Sequence, residues 1–210
     1  HMPAKTYMGV DPRRDHGFRI PRPDLSAKLG TPNACTGCHA DSPPRWATGK
    51  LRSWYGHDPK GYQDYAEAFH AARTAAPDAD LRLQGLLRDR NQPAIARATA
   101  AAELGRRLTP ESLPALTDAL NDPDPLVRAG ALDALNAVPP EERWPAAKAR
   151  LADPLRVLRA MAAETIPAAP DGEADPAWPR AADEYLTSLR FNADEPGANV
   201  NLGDFYAAQG

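Results

Sequence analysis

The chain of 210 residues has only two cysteines, and aromatic residues make up 7% of it. Two cysteines cannot build a disulfide framework. Because strands are rich in aromatic and β-branched residues, their scarcity argues against a β-sandwich or a β-barrel. No stretch approaches the roughly 18 uncharged apolar residues of a membrane helix, so we expect no membrane span.

Positive charge is not in excess either. The chain carries 25 Lys and Arg against 28 Asp and Glu, whereas nucleic-acid binding requires a surplus of basic residues. We therefore expect no nucleic-acid partner. The sequence contains no Gly-rich phosphate loop and no Ser-His-Asp arrangement, so it favours a carrier or a binding protein over an enzyme.

Proline and alanine are abundant, with 23 and 41 residues. Alanine favours helices, and proline is excluded from helix interiors but is common at their first turn. Together they predict an all-α fold of many short helices.

An internal repeat occupies the middle of the chain. Equivalent arginines occur at Arg97, Arg128 and Arg159, a constant period of 31 residues, and a fixed period over three units indicates a solenoid. Each unit is predicted to be a helix, a turn and a second helix. The predicted turns are 91–93, 124–125 and 153–154, in which aspartate is expected to cap the second helix and proline to begin it.

These units resemble HEAT repeats, and the resemblance predicts a short HEAT-like α-solenoid over residues 77–170. Residues 1–76 are predicted to form an irregular segment followed by helices at 43–56 and 61–74. In the third section, 171–210, a polar linker at 171–175 precedes a predicted helix at 176–192. The final residues, 196–210, resemble the first helix of a tetratricopeptide repeat. Its usual partner helix is missing, so we expect this repeat to be truncated.

The two cysteines belong to one motif, in which Cys35 and Cys38 are separated by two residues and His39 follows directly. Cys-x-x-Cys-His is the attachment motif of c-type haem. Each thiol adds to one haem vinyl group as a thioether, and the adjacent histidine becomes the proximal iron ligand. We therefore predict one covalently attached haem c, bound through Cys35, Cys38 and His39.

Two other chemistries remain open for this motif. A redox disulfide is one, although such a pair normally opens a helix in a βαβ fold. A zinc site is the other, and it would need a fourth ligand, for which His16 is a candidate. If haem binds, residues 1–34 are expected to surround it. Arginines of this segment would then pair with its propionates; they are Arg13, Arg14, Arg19 and Arg22.

The second axial ligand of the haem iron is predicted to be His16, because it lies in a loop close in sequence to the motif. His70, beside an aromatic helix face, is the alternative, and an open coordination position is a third possibility. A haem with two protein ligands would transfer electrons, whereas an open one would bind small molecules.

The segments 7–25 and 30–39 resemble the last haem-binding section of bacterial multihaem c-type cytochromes, in which HEAT-like and tetratricopeptide repeats follow the haem domain. The resemblance implies that the chain is a C-terminal fragment of such a protein, with His39 as proximal ligand and His16 as distal ligand. It also implies export to the periplasm. His1 then either ends a preceding haem motif or is a cloning scar.

The leading functional expectation is an electron-transfer domain with one haem, displayed on a helical-repeat scaffold. Its partner would be a redox protein or the other haems of the parent chain. The alternative is a protein–protein interaction module in which the repeats dock a partner. Haem sensing or small-molecule redox chemistry is a third expectation.

Overall fold

A computed structural model describes residues 4–14, 20–60, 63–168 and 175–209. Helices dominate these residues, and a two-stranded sheet lies near their start. The chain divides into two compact units, His1–His70 and Ala71–Gly210. The first unit contains β1 (Ala4–Tyr7), β2 (Asp11–Arg14), α1 (Pro23–Leu29), α2 (Pro44–Tyr55) and most of α3 (Ala66–Arg73). None of the described helices combines the length and the apolar character needed to cross a membrane.

The elements of the second unit follow in chain order. They are α4 (Ala79–Arg88), α5 (Ala94–Gly105), α6 (Leu113–Ala119), α7 (Pro125–Leu135), α8 (Pro140–Ala147), a 3-10 helix (Lys148–Ala152), α9 (Arg156–Thr165), α10 (Trp178–Phe191) and α11 (Pro196–Ala207).

The first correction to the all-α expectation is a hairpin in the segment predicted to be irregular. Strands β1 and β2 pair antiparallel, with Tyr7 opposite Asp11. Gly9 adopts a positive φ in the turn between them, a conformation that glycine accepts without steric cost. Pro12 is tolerated because a two-stranded sheet has only edge strands. All the strand residues are exposed, so no alternation of apolar residues marks the strands in the sequence.

Helix α1 is a second departure from the predicted irregular segment. Pro23 is its first residue and Gly30, with a positive φ, ends it, so a proline interpreted as a helix blocker here begins a helix. The predicted helix 43–56 is confirmed as α2, which Gly56 ends in the same way. The predicted helix 61–74 is observed as the shorter α3.

The second unit confirms the predicted solenoid pattern of paired helices. Helices α5, α7 and α9 pack in succession, and each also packs against a helix that precedes it in the chain. Leucines fill the core between them. Those that are almost fully buried are Leu83, Leu87, Leu104, Leu116, Leu120, Leu132, Leu135, Leu151 and Leu158. Alanines complete the packing, and their small size lets the helices approach one another.

Buried ion pairs join each repeat to the next. The Arg128 side chain donates from Nε to Asp153 Oδ2 at 2.9 Å and from Nη2 to Oδ1 at 3.2 Å. One repeat earlier, the Arg97 guanidinium donates from Nη1 and Nη2 to the two carboxylate oxygens of Asp122. Such bidentate pairs fix the position and the orientation of both groups.

The third inter-repeat ion pair extends beyond the predicted solenoid. Arg159 donates to both carboxylate oxygens of Glu184 in α10, at 2.8 and 2.7 Å. In all three pairs the acidic residue follows the arginine by 25 residues, so Glu184 occupies the position of Asp122 and Asp153 in a further unit. Helix α10 therefore continues the stack.

Charge compensation keeps these carboxyl groups ionised. Burial alone would raise the pKa of Asp122, but the hydrogen bond and the charge of Arg97, with the Asp124 amide, lower it. Hydrogen bonding from Arg159 lowers the pKa of Glu184. The inter-repeat pairs are therefore charged over the physiological pH range.

The predicted capping role of aspartate is confirmed at one turn and corrected at another. Asp124 Oδ1 accepts a hydrogen bond from the Leu126 amide and caps α7. Asp153 instead precedes α9 by three residues and binds Arg128, while Leu155 is the N-cap residue. Asp153 is thus equivalent to Asp122, 31 residues earlier, and not to Asp124.

Helices α5 and α7 approach closely at two glycines. A Cβ atom on Gly130 would lie 2.6 Å from the Ala98 carbonyl oxygen, and one on Gly105 would lie 2.7 Å from Ala134 Cα. Both obstacles are backbone atoms, which cannot swing aside as a side chain can. These two positions therefore require glycine for packing.

The last helix packs against α10, which precedes it in the chain. Phe205 of α11 stacks on Trp178 with ring centroids 6.2 Å apart and lies 5.3 Å from the Tyr185 ring. The short turn after α10 places α11 against it, and Phe205 is the side chain of α11 that is buried there. The predicted linker lies outside the described residues except for Asp175. The tetratricopeptide assignment stays a prediction.

We expect Arg97→Gln to lower the free energy of unfolding by about 3–5 kcal/mol, because it leaves the Asp122 carboxylate buried without its ion-pair partner. Urea unfolding followed by circular dichroism measures the change. The control is Arg106→Gln, which removes an exposed pair with Glu103 and should cost under about 1 kcal/mol. Equal losses in the two variants would contradict a special role for the buried pair.

We expect Gly130→Ala to destabilise the protein by about 1–3 kcal/mol, because the added methyl group overlaps the Ala98 backbone. Gly85→Ala in α4 is the matched control, since its Cβ would meet open space. It should gain up to about 1 kcal/mol from helix propensity. Thermal unfolding of both variants measures the difference, and an unchanged melting temperature for Gly130→Ala would refute the close-packing argument.

Candidate functional site

The Cys-x-x-Cys-His motif forms a single hydrogen-bonded turn between α1 and α2. The Cys35 carbonyl accepts hydrogen bonds from the Cys38 amide at 3.2 Å and from the His39 amide at 2.9 Å. Asn33 Oδ1 accepts from the amides of Cys35 and Thr36, at 3.0 and 3.1 Å. The turn is thus capped at its start and closed by a helical i to i+4 bond, a geometry that places residues four apart on one side.

Both cysteines of the motif are free thiols. Cys38 and His39 are exposed and Cys35 is half-buried, so the turn lies at the surface of the first unit. This arrangement fits haem c attachment in the chemistry of its donors, since two accessible thiols and an imidazole lie within five residues.

The His39 imidazole contacts an aromatic side chain of α2. Its ring centroid lies 4.7 Å from that of Trp46, with a 49° angle between the planes. Lys50, one turn further along α2, places Nζ 5.9 Å from the Trp46 ring centroid. Trp46 therefore holds the His39 ring beside the start of α2.

Two of the arginines predicted to bind propionates are engaged by carboxylates of the chain itself. Arg22, whose side chain is 8% exposed, binds Asp24 at 2.8 Å and Asp64 at 2.9 Å. The hydrogen bond that Arg22 donates to Asp24 is the main cause that raises the pKa of Arg22. Arg13 binds Asp11 at 2.7 Å. Both guanidinium groups thus form ion pairs within the chain, with Asp11, Asp24 and Asp64.

The predicted axial ligands are only partly within the described residues. His16 and Arg19 lie outside them. His70 is half-buried in α3. Across the described parts of the chain, no group of three or more His, Cys, Asp or Glu side chains is placed to hold a metal ion. Haem c attachment requires no such group, because the thiols bond to carbon and one histidine binds the iron.

Sequence reasoning missed the inter-repeat ion pairs of the second unit. The arginines repeat with the period of 31, but their partners lie 25 residues further on, a separation that no local motif indicates. The signal that was available is the recurrence of Asp122 and Asp153 at the same period, with Glu184 at the next step.

The comparison with protein families agrees with the helical pairs and their spacing. The family model for HEAT repeats matches residues 79–167, which begin at the first residue of α4 and include all of α9. This section of the chain is therefore a helical-repeat scaffold. Its repeats are of the HEAT kind. No curated protein and no solved structure matches the chain.

Proposed function

We propose that the chain is a protein-interaction scaffold whose repeat section, α4 to α10, binds a partner protein. The observation that supports this is the HEAT-repeat section, in which buried ion pairs connect successive units. Because each repeat contacts only its neighbours, the stack presents an extended surface. A stack held by bidentate pairs loses little conformational freedom on binding, which favours affinity.

Site-specific photo-crosslinking in cells tests the scaffold proposal. A photoreactive amino acid replaces Leu81 or Leu126, both exposed in the repeat section, or Tyr55, exposed in the first unit. We expect a discrete crosslinked protein from at least one repeat position and a weaker product or none from Tyr55. Mass spectrometry identifies the product. Absence of a crosslink from the repeat positions would refute the scaffold proposal.

The second proposal is that the first unit carries one covalent haem c and transfers electrons. It is supported by the Cys35–His39 turn with its two free thiols. The Cys35 and Cys38 thiols would each add across a vinyl double bond: sulfur bonds to one carbon and the thiol hydrogen passes to the other, so no oxidant is needed. Bound haem supplies a one-electron iron centre.

Protein groups would hold this cofactor and adjust it. His39 would be the proximal ligand, and its contact with Trp46 fixes the ring position. His16 is the proposed distal ligand, with His70 as the alternative. Haem c attachment implies a periplasmic location and a redox protein partner or further haems of a parent chain, by resemblance to multihaem cytochromes.

Denaturing mass spectrometry and a visible spectrum of the full chain, produced with the haem c maturation machinery, test the haem proposal. We expect the mass of one haem to remain attached, and Cys35→Ser with Cys38→Ser to abolish attachment. The control is His57→Ala, since His57 is exposed and outside the motif. Comparing the reduced spectra of His16→Ala and His70→Ala identifies the distal ligand. A chain that retains no haem after maturation would refute this proposal.

A further inference from the structure

Three apolar side chains occupy equivalent positions on successive repeats and remain exposed. They are Ile95 in α5, Leu126 in α7 and Val157 in α9, spaced 31 residues apart, with 62%, 42% and 61% exposure. Single exposed apolar residues are ordinary. Here, however, an exposed apolar residue recurs at the same position of three adjacent helices and forms a row. Packing of the core does not require such a row.

Small residues lie beside this row on the same helices. One turn further along, Ala129 and Ala160 are half-buried, whereas the equivalent Ala98 is buried where α7 packs on α5 at Gly130. These side chains rise little above the helix backbones. The surface next to Leu126 and Val157 is therefore low, and a partner can approach the backbones of α7 and α9 closely there.

Carboxylates lie on the far side of the small residues. Asp133 and Glu164 follow Leu126 and Val157 by seven residues, or two helical turns, and Glu103 follows Ile95 by eight. Glu103 pairs with Arg106 at 3.0 Å. Within the described residues, no ion pair joins Asp133 or Glu164 to a basic side chain, although Tyr185 donates a hydrogen bond to Glu164 at 3.1 Å.

We propose that this face of α5, α7 and α9 binds a basic amphipathic helix of a partner protein. Apolar residues of that helix would cover Ile95, Leu126 and Val157, and its Lys or Arg residues would pair with Asp133 and Glu164. The inference rests on the proposed scaffold function and names the binding surface and the chemistry of the partner.

The dimensions of the face favour a helix. The apolar row and the carboxylates are two turns apart, about 10.5 Å at 1.5 Å per residue, which matches the 10–12 Å diameter of a helix. Adjacent packed helices lie about 8–10 Å apart, close to the rise of seven helical residues. An extended strand covers the distance between adjacent helices in three residues. Because its side chains alternate between opposite faces, successive contacts would not fall on one face of the strand.

Charge complementarity favours a basic partner. The unit Ala71–Gly210 contains 15 Lys and Arg against 21 Asp and Glu. Burial raises the pKa of Glu164, and the nearby charge of Asp133 raises it further, so the two carboxylates repel each other. A cation placed between them relieves that repulsion. The exposed Arg156 is the first residue of α9 and Glu164 lies in its last turn, so the cation is at the other end of the helix from the carboxylate.

Fluorescence anisotropy with a designed peptide tests the inference on the full chain. The probe is a labelled helical peptide with leucine at every seventh position and lysines along one edge. Leu126→Glu with Val157→Glu should weaken binding at least tenfold. Asp133→Asn with Glu164→Gln should weaken it severalfold and reduce its salt dependence, and Gln retains the acceptor for Tyr185. The control is Val200→Glu, an exposed apolar residue on α11, which should leave binding unchanged.

Peptides of other chemistry define the contrary outcomes. A peptide with glutamates in place of the lysines, or a basic proline-rich peptide, that binds as well as the probe overturns the proposed partner. No binding, or binding unaffected by Leu126→Glu with Val157→Glu, also overturns it.

Crosslinks from the repeats in cells without peptide binding would leave the scaffold proposal standing and refute this surface. Peptide binding through Leu126 without any cellular crosslink would support the surface and refute the scaffold role.

Discussion

The buried arginine–carboxylate pairs are the interaction on which the repeat section depends. Burying a guanidinium or a carboxylate alone costs several kcal/mol, and only a well-oriented partner offsets that cost. Since Arg97, Arg128 and Arg159 each meet their partner 25 residues on, every repeat must adopt one register against the next. Apolar packing alone would allow alanine-rich helices to shift slightly along one another. A bidentate pair does not allow this shift, because it fixes the position and the orientation of both groups.

The same register aligns the exposed surface. Ile95, Leu126 and Val157 each lie two residues before one of these arginines, so the pairs that hold the repeats together also align the apolar row. The close approach of α5 and α7 at Gly130 and Gly105 brings the helices that carry Ile95 and Leu126 near one another. The proposed docking face is therefore a consequence of the inter-repeat pairs.

The first unit shows how far local sequence predicts structure. The Cys35–His39 turn, α2 and the glycine ends of the helices follow from short-range rules, because their hydrogen bonds join residues within four positions. The hairpin and α1 were missed, since exposed strands have no apolar alternation and Pro23 can either block or begin a helix. Arg22 was expected to face a cofactor and instead binds Asp24 and Asp64, and the Asp64 contact depends on the fold.

The sequence by itself determined the helical repeat and its period of 31, because both follow from recurrence along the chain. It also determined the spacing of the Cys-x-x-Cys-His motif, whose haem chemistry stays a prediction. Only the tertiary structure decided which carboxylate each arginine binds, that Glu184 extends the stack into α10, and that Phe205 of α11 packs on Trp178 and Tyr185. These contacts join residues 20 to 27 positions apart. No backbone propensity selects among partners at such distances, so shape and charge complementarity between folded helices makes the choice.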